Sequence, residues 1–125
     1  EIGLGIDFTA RDIQEECKDN GHPWEIAKGF DGSAQISRTF INKSNLDSNN
    51  IIFSLNKNGK QVQLGNSRDM IFNFDKIISY LSKFYTLKIG DLIYTGTPSG
   101  VGKVIAGDKL NGFIGEREMF NVLIK

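Results

Sequence analysis

The sequence predicts an α+β fold that is rich in strands and contains two short helices. A β-hairpin signal lies near the middle of the chain, an amphipathic helical pattern follows it, and strand-like segments end the chain. The helical and strand segments do not alternate regularly, as a doubly wound parallel sheet would require. Because the chain has 125 residues, it is long enough for one domain at most.

The first strand and the first helix follow one another directly. Residues 2–8, IGLGIDF, predict a strand whose glycines allow a backbone or a ligand to approach closely. Residues 10–19 predict a helix of about two turns, which Thr9 and Asp12 open as a loose variant of the capping box. Asn20-Gly21 ends this helix, since the pair favours turns.

The next segment shows weaker patterns. Residues 25–38 have no sustained period and predict an ordered loop, and residues 37–43 predict a strand. Residues 42–50, NKSNLDSNN, predict a polar surface turn, because the segment is too short to link two domains.

The middle of the chain carries the clearest local signals. Residues 51–66 contain two alternating runs around Asn58-Gly59, which predicts a β-hairpin. After it, apolar residues recur at gaps of three and four and predict an amphipathic helix that starts near Phe74 or Asp75. These apolar positions are Ile71, Phe74, Ile77, Ile78, Leu81 and Phe84.

Three further strands are predicted in the last third of the chain. Residues 89–96, IGDLIYTG, predict a strand that is entered through Gly90-Asp91. Residues 106–125 predict two strands with a turn between them.

Composition excludes several classes of function. Fifteen basic residues balance fifteen acidic ones, so nothing directs the chain toward a nucleic acid. No apolar run approaches the roughly 20 residues that span a bilayer, and we expect no membrane contact. The single Cys17 excludes an internal disulfide and a cysteine-based zinc cluster, and it favours a cytoplasmic location. We interpret Cys17 and the only histidine, His22, as structural rather than catalytic residues.

The glycine-rich segment TGTPSGVGK, residues 95–103, is not a phosphate-binding P-loop. A P-loop needs glycine where this chain has Thr97, and serine or threonine where it has Val104. The segment could still form a tight loop whose N–H groups and hydroxyls hold an oxyanion or a carboxylate. The alternative is that it is simply a turn.

Glu116 and Glu118 form an E-x-E pair in the segment GEREM. Two carboxylates that point the same way from a strand could hold a divalent metal ion. The favoured alternative is a solvated hairpin tip, with Arg117 between the two acids.

Polar residues crowd around the predicted junction between the first strand and the first helix. Asp7 ends the strand and could ligate Mg²⁺, while Arg11 and Gln14 share one helix face and could donate to an oxygen-rich ligand. Lys28, in AKGFD, could stabilise negative charge that develops beside a bound metal ion. The alternative for these residues is surface capping and ion pairing.

Four segments, taken in order and at this spacing, resemble the fumarylacetoacetate hydrolase family. They are GIDFTARDIQ, PWEIAKGFDGSA, GNSRDMIFNFDKIISYLSKFYTLKIGDLIYTGTPSGVG and AGDKL. The resemblance covers nearly the whole chain and points to the acylpyruvate hydrolase and oxaloacetate decarboxylase branch. It implies a mixed β-roll, usually dimeric, with Mg²⁺, Mn²⁺ or Ca²⁺ held by three carboxylates.

The resemblance also implies roles for five residues. Asp7 corresponds to a metal-ligating aspartate, and Arg11 and Gln14 correspond to residues that contact the substrate. Lys28 corresponds to the lysine beside the metal ion and the reacting carbonyl, and Thr97 to a threonine that contacts a substrate oxygen. Substrates of the family are 1,3-dicarbonyl or 2-oxo acids, which chelate a divalent cation and pass through an enolate.

The chain departs from the family pattern in two ways. Gly32 stands where the family commonly has threonine, and the Pro-Gly-Pro elbow that usually follows is absent. The Glu-x-Glu pair that supplies the other two metal ligands, and the general base, lie upstream of the aspartate in the family. Residues 1–125 do not include these upstream residues, and we therefore expect the chain to be part of a larger catalytic domain.

The sequence thus predicts a divalent-metal-dependent hydrolase that cleaves a C–C bond in acylpyruvates or other 2,4-dioxo acids, with decarboxylation of oxaloacetate as a related activity. A homodimer is expected from the resemblance. One alternative is an isomerase or hydratase acting on a muconate-type 2-oxo acid. The other is a catalytically silent fragment or subunit that lacks the upstream metal ligands.

Overall fold

The computed structural model describes residues 1–125, which form six strands, three α-helices and two short 3₁₀ turns. In chain order the elements are β1 (Gly5–Asp7), α1 (Arg11–Asp19), α2 (Glu25–Lys28), β2 (Ala34–Ile36), β3 (Ile52–Lys57), β4 (Lys60–Asn66), α3 (Phe74–Leu81), β5 (Lys109–Ile114) and β6 (Arg117–Leu123). The 3₁₀ turns lie at Lys43–Asn45 and Ser67–Asp69. The predicted strand-rich α+β class is confirmed.

The strands form two antiparallel sheets. β1 pairs with β2, and a four-stranded sheet has the order β4-β3-β5-β6. β3 is paired on both sides, so that Phe53 lies opposite Gly65 on one neighbour and Ile114 on the other. This arrangement joins the central hairpin to the carboxyl end of the chain.

The predicted hairpin is confirmed, and its turn does more than connect two strands. Asn58 and Gly59 both have positive φ, at 53° and 80°, as a two-residue hairpin turn requires. The Asn58 side chain donates to Asp108 Oδ1 at 2.7 Å and accepts from the Lys109 N–H at 2.8 Å. The turn therefore also fixes the start of β5.

The core lies on one face of the four-stranded sheet. Ile51, Ile114 and Met119 are buried together, and Leu4 from the first segment packs against them. Buried positions alternate along β5, where Leu110 is 1 % exposed. Gly112 has to be glycine, because a Cβ there would clash with the ring of Phe120.

The helices at 10–19 and near Phe74 are confirmed, but the structure corrects the predicted cap of the first. Ala10 is the N-cap of α1 and makes no side-chain capping bond, because its methyl group has no hydrogen-bonding atom. The Thr9 hydroxyl, predicted to open the helix, accepts a hydrogen bond from Lys28 instead. α3 is capped by Asn73, whose side chain accepts from the Lys76 N–H at 2.9 Å. None of the three α-helices is long and apolar enough to cross a bilayer.

Two predictions for residues 25–43 were wrong. The predicted loop contains the one-turn helix α2 and the strand β2, so that there are three α-helices rather than two. The strand predicted at 37–43 is replaced by a single bridge between Ile41 and Ile2. The paired residues lie earlier, because the backbone of β1 faces residues 34–36.

The strand predicted at 89–96 was also wrong. This segment contains no strand, and most of its apolar side chains are exposed, with Ile89 fully so and Leu92 52 % exposed, while Ile93 is partly buried. Asp91 closes a turn by donating its N–H to the Lys88 carbonyl. A strand requires a neighbouring edge to pair with, and neither sheet of residues 1–125 pairs with this segment.

Replacing Leu110 by alanine should lower the free energy of unfolding by about 2–5 kcal/mol, because it leaves a cavity in the core. Chemical denaturation measures this loss. Leu123→Ala is the matched control, since Leu123 lies on the adjacent strand β6 and is 51 % exposed. Equal losses for the two variants would contradict the burial of Leu110.

The stability of the fold should depend on the ionisation of Asp108. The Ile105 N–H, the Asn58 amide and the Lys57 ammonium lower the pKa of this carboxyl below its usual 3.8. The stabilisation is therefore present above the pKa of the unfolded chain and is lost as pH falls through the lower folded value.

Asp108→Asn should consequently reduce stability at pH 7 and flatten its decline below about pH 4. Thermal unfolding across pH 2–7 measures both effects. Asp19→Asn should change stability little at pH 7, because the exposed Asp19 side chain accepts no hydrogen bond. If the stability of Asp108→Asn declined below pH 4 as steeply as that of the wild type, Asp108 would not be the group responsible for the decline.

Candidate functional site at the junction of β1 and α1

Backbone contacts hold the junction of β1 and α1 against α2 and the start of β2. The Phe8 N–H donates to the Ser33 carbonyl at 2.8 Å, and the Ala10 N–H donates to the Ala27 carbonyl at 3.0 Å. Ala27 is completely buried, so this position of α2 is closely packed against its surroundings. Lys28, the next residue, therefore lies beside the end of β1.

Lys28 bridges two residues of this junction. Its Nζ donates to Asp7 Oδ2 at 2.6 Å and to Thr9 Oγ1 at 2.8 Å. The Lys28 side chain is 35 % exposed and that of Asp7 is 51 % exposed, so both remain open to a ligand. Two of the three ammonium donors are used, which leaves one for a ligand oxygen.

Arg11 and Gln14 form a second polar pair on the adjacent face of α1. Arg11 Nη1 donates to Gln14 Oε1 at 2.9 Å, and the Gln14 side chain is buried. Because the amide oxygen is occupied by Arg11, the NH₂ group of Gln14 is left to donate. Arg11 keeps further donors in the planar fork that suits a carboxylate.

Tyr94, which immediately precedes the TGTP segment, contacts β2 beside this junction. Tyr94 donates its hydroxyl to the Gln35 carbonyl of β2 at 2.8 Å. Burial raises the pKa of Tyr94, and the negative charge of Asp7 raises it further. Tyr94 therefore lies against β2 and near the carboxylate of Asp7.

Thr97 follows three residues later and contacts β4 rather than the junction. Gln63 Nε2 donates to Thr97 Oγ1 at 3.0 Å and to the Pro98 carbonyl at 3.1 Å. Of the five residues predicted for the site, the structure thus joins Asp7 to Lys28 and Arg11 to Gln14. It makes no direct hydrogen bond from Thr97 to these pairs.

Sequence reasoning missed three residues that hold the site together: Thr9, Tyr94 and Gln63. The sequence pattern indicates a helix cap at Thr9, although Thr9 lies within the motif that carries the family resemblance. Tyr94 and Gln63 contact partners that are 59 and 34 residues away along the chain. No local pattern reports such distances.

The residues set aside from the site lie away from catalytic partners. Cys17 is buried as a free thiol, and His22 is exposed in the turn after α1. Glu116 lies in the turn between β5 and β6, and Glu118 accepts from Asn111 at 3.2 Å. The interpretation of Glu116 and Glu118 as a solvated hairpin tip agrees with these positions.

Asp7 can serve as one ligand of a divalent cation. Its Oδ1 makes no hydrogen bond within the chain, whereas Oδ2 is held by Lys28. Mg²⁺ and related cations need several oxygen ligands in a defined geometry. Residues 1–125 bring no three His, Cys, Asp or Glu side chains together as a metal site. Asp7 therefore fits such a site as one ligand among several.

Comparison with known proteins identifies the family. The sequence model of the fumarylacetoacetate (FAA) hydrolase C-terminal region matches residues 2–124. The oxaloacetate tautomerase YcgM of Escherichia coli is 46 % identical over 110 residues, which are 86 % of this chain and 50 % of the relative. The chain therefore spans about half the length of the curated relatives it matches.

Solved structures agree with the sequence comparison. A fumarylacetoacetate hydrolase family protein from Yersinia pestis matches with a TM-score of 0.91 and 43 % identity, over 98 % of this chain and 56 % of that one. The fumarylpyruvate hydrolase of Pseudomonas aeruginosa, solved with Mn²⁺ and pyruvate, matches with a TM-score of 0.88 and 36 % identity, over 98 % and 52 % of the two chains. The resemblance found in the sequence is confirmed: this chain belongs to the fumarylacetoacetate hydrolase family.

Proposed function

We propose that this chain supplies part of a divalent-cation-dependent active site that converts small 2-oxo or 1,3-dicarbonyl acids through an enolate. The observation that carries the proposal is the Lys28 ammonium, which lies 2.6 Å from Asp7 and keeps one donor free. An acidic ligand for a cation and a fixed positive charge then meet at one point. The proposed cation is Mg²⁺, with Mn²⁺ or Ca²⁺ as alternatives; Mn²⁺ is the ion in the Pseudomonas structure.

Each side chain has a separate task in this proposal. Asp7 would hold the cation, which supplies Lewis acidity at the substrate oxygens when it is bound. Lys28 presents its free donor to the oxygen on which charge develops. Arg11 and Gln14 bind the substrate carboxylate, and the Thr97 hydroxyl donates to another substrate oxygen. The remaining cation ligands and the general base would come from residues outside these 125.

Keto–enol tautomerisation of oxaloacetate is the first activity to test. It is the activity named for the E. coli relative, and it requires only that a proton move between carbon and oxygen while the enolate is stabilised. Hydrolysis of a C–C bond in acylpyruvates is the second candidate, favoured by the fumarylpyruvate hydrolase structure that contains pyruvate. Decarboxylation of oxaloacetate and isomerisation of muconate-type acids use the same enolate chemistry and remain alternatives.

The assembly and the location of the protein are also part of the proposal. We propose a homodimer, as the family resemblance implies, in which residues 1–125 form part of the catalytic domain. The single cysteine supports a cytoplasmic location.

The full-length protein should tautomerise oxaloacetate in the presence of Mg²⁺ or Mn²⁺ and lose this activity with EDTA. In Asp7→Asn, which keeps the shape of the side chain, Mn²⁺ affinity measured by calorimetry and activity should both fall by about 100-fold or more. Asp31→Asn is the control, because Asp31 is exposed and forms no ion pair. Full activity of Asp7→Asn would contradict the assignment of the cation site.

Lys28→Met should lower kcat by about 10²–10³-fold, because it removes a fixed donor from the developing charge. Mn²⁺ affinity should not fall, since Asp7 loses the ammonium group that competes for it. Steady-state kinetics and calorimetry measure these two quantities separately. Lys18→Met, on the exposed side of α1, is the control. An unchanged kcat in Lys28→Met would remove Lys28 from the mechanism.

A further inference from the structure

Gln63 uses both protons of its amide on one short stretch of the TGTP loop. Nε2 lies 3.0 Å from Thr97 Oγ1 and 3.1 Å from the Pro98 carbonyl oxygen. The amide group sits on β4, the strand that pairs directly with the doubly paired β3. It therefore connects a residue proposed to bind substrate to the best-supported part of the sheet.

The direction of this hydrogen bond fixes what the Thr97 hydroxyl can do. An amide NH₂ only donates, so Thr97 Oγ1 has to be the acceptor of the bond. The hydroxyl proton then has to point away from Gln63. The exposed Thr97 side chain donates to no acceptor within the chain. The hydroxyl is thus left as a donor to an oxygen from outside the chain.

The loop is also held in place on both sides of Thr97. Gly100 has φ +98° and lies so close to β4 that a Cβ there would clash with the Val62 carbonyl oxygen. On the other side, Tyr94 is tied to the Gln35 carbonyl at 2.8 Å. Gln63 acts between these two fixed points, so its loss would free the hydroxyl to rotate without releasing the whole loop.

We propose that Gln63 is a positioning residue that makes Thr97 a hydrogen-bond donor to an oxygen of the bound oxo acid. This inference rests on the proposed function, because it takes Thr97 as a substrate contact. Gln63 itself does not touch the substrate. It determines that the Thr97 hydroxyl, which does touch the substrate, donates a hydrogen bond.

The test compares two substitutions with different chemistry in the full-length protein. Leucine at position 63 removes the donor, whereas glutamate keeps the length of the side chain but accepts hydrogen bonds at neutral pH. Gln63→Leu should weaken oxalate binding in the presence of Mn²⁺ by about five- to tenfold. Gln63→Glu should weaken it further, because the carboxylate draws the Thr97 proton toward itself. Calorimetry measures these affinities.

A role confined to packing predicts the opposite order, since the isosteric Gln63→Glu fills the same space as glutamine. A role confined to anchoring the loop through the Pro98 carbonyl predicts the same loss with or without the Thr97 hydroxyl, which the double-mutant cycle tests. Gln61→Leu is the matched control: Gln61 lies on the same strand, is exposed and makes no side-chain hydrogen bond. It should bind oxalate as the wild type does. Thermal unfolding shows that each variant is folded at the temperature of the assay.

A double-mutant cycle with Thr97→Val separates action through Thr97 from a direct effect of charge. Because valine has no hydroxyl, adding Gln63→Leu or Gln63→Glu to Thr97→Val should change oxalate affinity by less than about twofold. Full additivity would overturn the inference. If the wild type binds Mn²⁺ and oxalate while Gln63→Leu is unaffected, only the role of Gln63 is wrong. If the wild type binds no oxalate at all, the proposed function fails with it.

Discussion

The pairing of β3 on both of its edges is the constraint on which the rest of the structure depends. Phe53 lies opposite Gly65 on β4 and opposite Ile114 on β5, so one strand joins the hairpin to the end of the chain. Gly65 leaves room for the Phe53 ring, which a Cβ at that position would strike. The core residues Ile51 and Ile114 meet because of this pairing, and the segment that leads into β1 packs on them through Leu4.

The polar groups of the site contribute little to this stability. The Asp7–Lys28 pair is partly exposed, and such pairs typically contribute between 0 and about 1 kcal/mol. Its precise placement depends instead on buried backbone and small side chains, above all on Ala27 and its hydrogen bond from Ala10. A buried support held by backbone hydrogen bonds therefore presents charges that stay available to ligands. This division of labour suits a site that has to bind a cation and an anion together.

Local features of the fold could be predicted from the sequence, and features that depend on distant partners could not. The Asn58-Gly59 turn and the helix after Asn73 are specified by neighbouring residues, and both were predicted. The segment 89–96 has the composition of a strand, but its state depends on an edge that no local pattern reveals. The site divides in the same way. The family resemblance supplied Asp7 and Lys28, whereas the contact of Gln63 with Thr97 emerges only once β4 and the loop are folded.

The hydrogen bonds of Asn58 with Asp108 and Lys109 join the hairpin to a strand that is synthesised much later, and this affects folding during translation. The hairpin can form as soon as it emerges, but the second edge of β3 stays unpaired until β5 has been synthesised about fifty residues later. An unpaired edge can pair with another chain, which is a route to aggregation. The time taken to synthesise residues 67–114 therefore determines how long a nascent chain remains exposed to that risk.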